Sequence, residues 1–168
     1  KLDNNGNALT GEIVVSTTTT TQQNNYPALA IDPQGGVHVV WTTGRGCNSC
    51  TTELLYRKLA NNGGYVTIPL QISSALALMI PYPATDLQSN VHILWSDNRD
   101  WPGLGYRELY YAKLNTAAVK VVNGTRLTFG STSISRGLPD VRADPAGSVH
   151  AVANSGRARV ELIEIELK

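Results

Sequence analysis

Charge is scarce in this chain. Of its 168 residues only 16% are Asp, Glu, Lys or Arg, and the 14 basic and 13 acidic side chains leave a formal net charge of +1. An ordinary globular domain carries roughly 25% charged residues, and a nucleic-acid partner would call for a clustered basic face that is missing here. No apolar run reaches the roughly 18 residues of a membrane-spanning helix. No signal-peptide pattern is visible, and a mature exported chain would already have lost one. Cysteine is limited to Cys47 and Cys50, and Met and Phe occur once each. No stretch holds a helical period for three turns, which excludes a helical bundle.

What the chain has is internal repetition. Lys1-Leu2-Asp3-Asn4-Asn5-Gly6 returns as Lys58-Leu59-Ala60-Asn61-Asn62-Gly63, and Lys113-Leu114-Asn115 is a third occurrence. Pro27, Pro83 and Pro139 are 56 residues apart each time. Val37-His38-Val39-Val40-Trp41 recurs as Val91-His92-Ile93-Leu94-Trp95 and, degraded, as Val149-His150-Ala151-Val152-Ala153. Glu53-Leu54-Leu55-Tyr56 aligns with Glu108-Leu109-Tyr110-Tyr111 and with Glu161-Leu162-Ile163-Glu164. The second copy is two residues shorter between its Pro and its His, which places a different turn there.

Each copy reads as four short strands rich in β-branched and aromatic residues, separated by turn residues. Asp32-Pro33-Gln34-Gly35 has the composition of a type I turn between the first two strands. The chain is therefore all-β. Repeats with four strands each are the pattern of β-propeller blades. Blade 1 is expected over residues 26–73, blade 2 over 82–128 and an incomplete blade 3 over 138–168, after an outer-type strand and linker at 1–25. Tyr26 to Trp41, Trp95 to Asp100 and Glu108 to Leu114 together resemble the bacterial and archaeal sialidase-like (BNR-type) propeller repeats. That resemblance implies a propeller fold; because such blades serve enzymes, lectins and scaffolds alike, it does not imply a function. The chain departs from it in having no well-formed S-x-D-x-G-x-x-W box.

The repeat phase gives blade 3 no outer strand, while an unmatched outer-type strand, Leu9 to Ser16, lies near Lys1. The expectation is strand complementation: Leu9, Ile13, Val14 and Val15 of one copy pair with Glu161, Ile163 and Ile165 of another, producing a closed ring or a filament. A piece of a longer propeller is the competing reading. Under strand complementation the partner is the chain itself, with carbohydrate as a further possibility; no cofactor and no metal is expected. The five threonines Thr17 to Thr21 and the low charge fit an extracellular or cell-surface protein.

Candidate sites follow from loop chemistry. Arg45, Arg99 and Arg157 each stand seven residues after their repeat's His, where guanidiniums could line one face and grip a carboxylate or simply pin loops. Asp97, Asp100, Trp101 and Tyr106 share the loop beside Arg99, and aromatics beside carboxylates suit a sugar. Cys47 and Cys50 supply two thiolates where a structural zinc needs four ligands, so a local disulfide is expected. Asn123-Gly124-Thr125 is a glycosylation sequon at an expected turn. His38, His92 and His150 are read as structural, each bonding across to a neighbouring blade, and Asp32, Asp86 and Asp144 as turn caps. No catalytic set is recognisable, and the reading is a non-enzymatic self-assembling propeller, with a lectin-like module or a glycosidase fragment as alternatives.

Overall fold

The computed structural model describes residues 1–17, 22–44, 51–76, 79–100, 107–129, 140–144, 148–154 and 160–163. Among them there is no helix. The strands are β1 (Gln23–Ile31), β2 (Val37–Gly44), β3 (Thr52–Leu59), β4 (Leu70–Ala75), β5 (Ile80–Thr85), β6 (Val91–Asp97), β7 (Glu108–Leu114), β8 (Lys120–Arg126), β9 (Asp140–Ala143), β10 (Val149–Asn154) and β11 (Val160–Ile163). They form antiparallel meanders: a sheet β1–β4, a sheet β5–β8, and a three-stranded sheet β9–β11. β5 lies between β1 and β9, whereas the outer strands β4 and β8 barely touch, so the sheets fan out from their first strands.

The core sits between the faces of successive sheets. Val40, Leu54, Tyr56 and Ile72 of the first sheet pack on Val91, Ile93, Trp95, Tyr110, Ala112 and Leu114 of the second. The reverse face of the second sheet packs Leu94, Leu109 and Tyr111 against Val141 of the third. Middle strands in such a fan are buried on both sides, which is why β6 is buried at every residue, including His92, Ser96 and Asp97.

Register corrects three sequence expectations. The two-residue difference between the first repeats is not in the turn: Asp32 N–H to Gly36 O and Asp86 N–H to Asn90 O close equivalent turns at 2.9 and 3.1 Å. It lies in the alignment of the prolines: Leu29↔Val39 and Pro83↔Ile93 are the equivalent pairs, so Pro27 answers to Pro81, and both stand 11 residues before their His. A bulge in β1 adds one residue there, Tyr26 and Pro27 lying opposite Trp41 alone, and Tyr26 takes a positive φ of 51°. In the third sheet Ala153 pairs with Glu161, as Trp41 pairs with Leu55, so Glu161 stands in the place of Leu55 and the sequence alignment of β11 is off by two. Asn123 lies on β8, not in a turn; it is exposed, beside Gly124 at a bulge in the pairing with β7.

The expected strand Leu9 to Ser16 forms no ladder among the described residues. Its neighbourhood is nevertheless built as the repeat demands. The bridge Leu2↔Ala8 copies Leu59↔Tyr65, and the turns at Asp3, Ala60 and Asn115 share one hydrogen-bond pattern. Their left-handed position is filled by Gly6 (φ 84°), Gly63 (φ 87°) and Ala118 (φ 59°). An alanine there costs about 1–2 kcal/mol. Ala118→Gly is expected to stabilise the fold by about 0.5–1 kcal/mol, the lost methyl contact offsetting part of the relief; a denaturant melt showing destabilisation would contradict this.

Candidate functional site

Three places in the described residues bring chemistry together. The first is the turn end of each sheet. Asp32 receives Gln34 and Gly36 N–H on Oδ1 at 3.1 and 2.6 Å, which caps the β1–β2 turn as its sequence implies. Its Oδ2 takes His38 Nε2 at 3.0 Å and Lys58 Nζ at 3.1 Å, while His38 Nδ1 meets Tyr56 OH at 2.9 Å. Sheet two repeats the set with Asp86, His92 and Tyr111 at 3.1 and 2.9 Å and Lys113 at 3.8 Å. Because an ionised Asp can only accept, Nε2 carries the proton and Nδ1 accepts from the phenol. The histidines thus bond within their own sheet, not across to a neighbour, a correction that follows from the Tyr one strand away on the same face. In sheet three His150 bonds Asp144 at 3.1 Å, and Leu162 holds the register place of Tyr56, so that position supplies no phenol.

Both central histidines are 1% exposed. Burial lowers the pKa of each below the usual 6.5; the Asp opposes this and the nearby Lys adds to it. Burial alone would raise Asp32, but bonds from His38, Lys58 and Gly36 outweigh it and bring the carboxyl to about 2. Asp86 is lowered likewise, with Asn90 and His92 overcoming burial. Burial pushes Tyr56 and Tyr111 upward. The shifts favour a neutral imidazole between an ionised carboxylate and a neutral phenol, an arrangement that suits a clamp.

The second place is the opposite end of sheet two. Arg99 pairs with the fully buried Asp97 through Nε at 2.7 Å and through Nη2, lies over the Tyr110 ring at 4.5 Å, and reaches Ser73 Oγ of the first sheet at 2.8 Å. Asp97 also accepts Trp95 Nε1 at 3.2 Å. Asp100 receives Tyr110 OH and Arg126 Nη1, the latter at 3.1 Å, and Arg126 Nη2 bridges to Glu108 at 3.1 Å. Of the residues expected here, Arg99, Asp97 and Asp100 come together. Arg126, Glu108 and Tyr110 were missed because their partners lie on other strands; only a pairing register could have found them. Arg45, Cys47, Cys50, Trp101, Tyr106, Arg157 and Ile165 lie outside the described residues.

The third place is the face of the first sheet turned away from the second. Residues 13–16 lie along it. Arg57 Nη1 donates to Val15 O at 2.8 Å, Tyr65 OH donates to Val14 O at 2.6 Å, and Asn24 Nδ2 donates to Ser16 Oγ at 3.0 Å. One sheet further on, Lys120 Nζ donates to Gln71 O at 3.3 Å. Lys120 and Gln71 are the repeat equivalents of Tyr65 and Val14, so residues 13–16 sit on sheet one where β4 sits on sheet two. Ile13, Val14, Val15, Pro27, Val39 and Trp41 line an apolar groove of ≈ 340 Å³ there.

No protein-family model matches the chain, and no curated protein matches it in sequence. Among solved structures it is similar to an endo-arabinase from Bacteroides thetaiotaomicron, with 16% identity, a TM-score of 0.57 and coverage of 90% of this chain. The chain spans 59% of that enzyme's length. At this identity the likeness is one of fold, and it supports a propeller-like all-β architecture.

The clamps make stability depend on pH with a definite sign. Buried neutral histidines favour folding most above their unfolded pKa, so stability is expected to fall once pH drops below about 6.5. A second loss follows as pH falls from 3.8 towards 2, where Asp32 must protonate, and Asp86, also lowered, contributes in the same direction. His92→Leu should cost about 2–4 kcal/mol by stranding Asp86 and Tyr111 and should reduce the first loss. A melting temperature that stays flat between pH 7 and 5 in the parent chain would contradict this.

Proposed function

We propose that this chain is a structural, non-enzymatic β-propeller-type protein of the cell exterior that assembles with further copies of itself by strand complementation. The observation that carries the reading is the seating of residues 13–16 on the first sheet in the place of an outer strand, without a sheet of their own. The free outer edge of β11 among the described residues is its counterpart. An unpaired edge of this kind is an invitation to pair with another chain. The charged cluster around Arg99 supports the non-enzymatic part: Asp97, Asp100 and Glu108 each take donors from the protein itself, which favours a loop-pinning role over carboxylate chemistry. The low charge and the threonine run support an exported protein, and the resemblance to sialidase-like repeats is in keeping with it.

A carbohydrate-directed role is the second reading, favoured by the fold likeness to an endo-arabinase. Its place would be the cleft of ≈ 340 Å³ beside the first strands, where Tyr26, Tyr82 and Arg142 meet. Oligosaccharide titration of the parent chain against Tyr82→Ala tests it.

The assembly reading is tested on untagged protein by light scattering and negative-stain microscopy. Particles of at least twice the 18.1 kDa chain mass are expected, and deletion of residues 1–17 is expected to return them to monomers. A parent chain that stays monomeric at tens of micromolar, or assembly unchanged by the deletion, would refute the reading.

A further inference from the structure

The contact between the first and second sheets is a template for a contact that, among the described residues, the first sheet's other face lacks. On sheet two, Val91, Ile93 and Trp95 of β6 are 0% exposed because sheet one covers them. Their repeat equivalents on sheet one are Val37, Val39 and Trp41, with Leu55 in the place of Tyr110. Val37, Val39 and Leu55 are only half-buried, with residues 13–16 lying along this face. The groove beside them is apolar, and Val39 and Trp41 in its lining are the repeat equivalents of Ile93 and Trp95, which pack on Val40, Leu54 and Tyr56 in the intact contact.

Two polar groups on or next to this face are left over. Trp41 Nε1 and Thr43 Oγ1 are buried without a partner among the described residues. In sheet two the matching pair is satisfied internally, Trp95 Nε1 donating to Asp97 Oδ2 at 3.2 Å. Thr43 occupies the place of Asp97 and offers no carboxylate. A buried donor left unpaired costs about 1–3 kcal/mol; Trp41 Nε1 is already sealed from the surface, so an incoming chain acts on this face by covering the half-buried Val37, Val39 and Leu55.

The occupant is defined by what the groove lacks. It must be a sheet of this repeat without its own fourth strand, so that residues 13–16 can serve as that strand. The β9–β11 sheet has that form among the described residues. By register, Val160, Glu161 and Leu162 hold the places of Leu54, Leu55 and Tyr56. Those three pair in sheet one with Ser73, Gln71 and Leu70, whose repeat equivalents are Ser16, Val14 and Ile13. We infer that the outward face of the first sheet docks the β9–β11 sheet of a second copy of this chain, with β11 antiparallel to residues 13–16. Val160 then stands opposite Ser16, Glu161 opposite Val14 and Leu162 opposite Ile13. Arg57, which replaces the small Ala112 of sheet two, stacks on Tyr65 and holds Val15 O, and so keeps the accepting strand in place.

This rests on the assembly reading, and the test separates the two. Two single variants, Ser16→Cys and Val160→Cys, are co-expressed, so that a disulfide between them can only join different chains. Directly opposed antiparallel residues lie about 4.5–5.5 Å apart at Cα, within the roughly 4.4–6.8 Å that a disulfide spans. Mild oxidation is expected to link residues 16 and 160, identified by peptide mass spectrometry, at least tenfold more than the out-of-register pair Val14→Cys with Val160→Cys. Ile13→Cys with Leu162→Cys provides a second in-register pair should the first fold poorly. Oligomers in which neither in-register pair links above the control would overturn this docking register and leave assembly standing. Monomers would overturn both.

Discussion

Face-to-face packing between successive sheets is the constraint on which the rest of this molecule depends. Each sheet is too thin to form a core alone. Val40, Leu54, Tyr56 and Ile72 are dry only because Ile93, Trp95 and Ala112 lie against them. Burying such a side chain is worth about 1.5–3 kcal/mol, so a sheet with one bare face forfeits a large part of its stabilisation. The charged groups are arranged around this packing: the Asp–His–Tyr clamps tie the turns of the first two sheets to their third strands, and Arg99 ties the far end of sheet two to Ser73 on sheet one.

The clamp also accounts for the repeated histidine. A neutral imidazole between an acceptor and a phenol has both nitrogens satisfied in a single tautomer, and burial keeps it in that state. The repetition is imperfect in a telling way. His38 and His92 each have a Tyr, whereas the register place beside His150 belongs to Leu162, and the Asp144–His150 pair is about a third exposed.

Much of the architecture was legible in the sequence. The all-β class, the repeat, the β1–β2 turn and the capping aspartates all follow from short-range chemistry: alternation, Asp-Pro-x-Gly, and side-chain bonds two and four residues away. What escaped was register. The bulge at Tyr26 and Pro27, the two-residue shift of β11, and the Arg126–Asp100–Glu108 network depend on which residue faces which across a ladder, and spacing along one chain does not carry that. The histidine partners were missed for the same reason: alignment of the repeats marked His38 as structural, but only the pairing of β2 with β3 puts Tyr56 in reach.

The central claim, a proposal, is that the first sheet's outward face and the edge of β11 left open among the described residues complement each other between copies. A cryo-electron microscopy map of the assembled particle tests it most directly, by identifying the strand that lies beside β11. The account predicts residues 9–17 of a neighbouring copy there, antiparallel, with that copy's first sheet packed against the β9–β11 sheet. Solvent at that edge, or a strand contributed by any other segment, would contradict it.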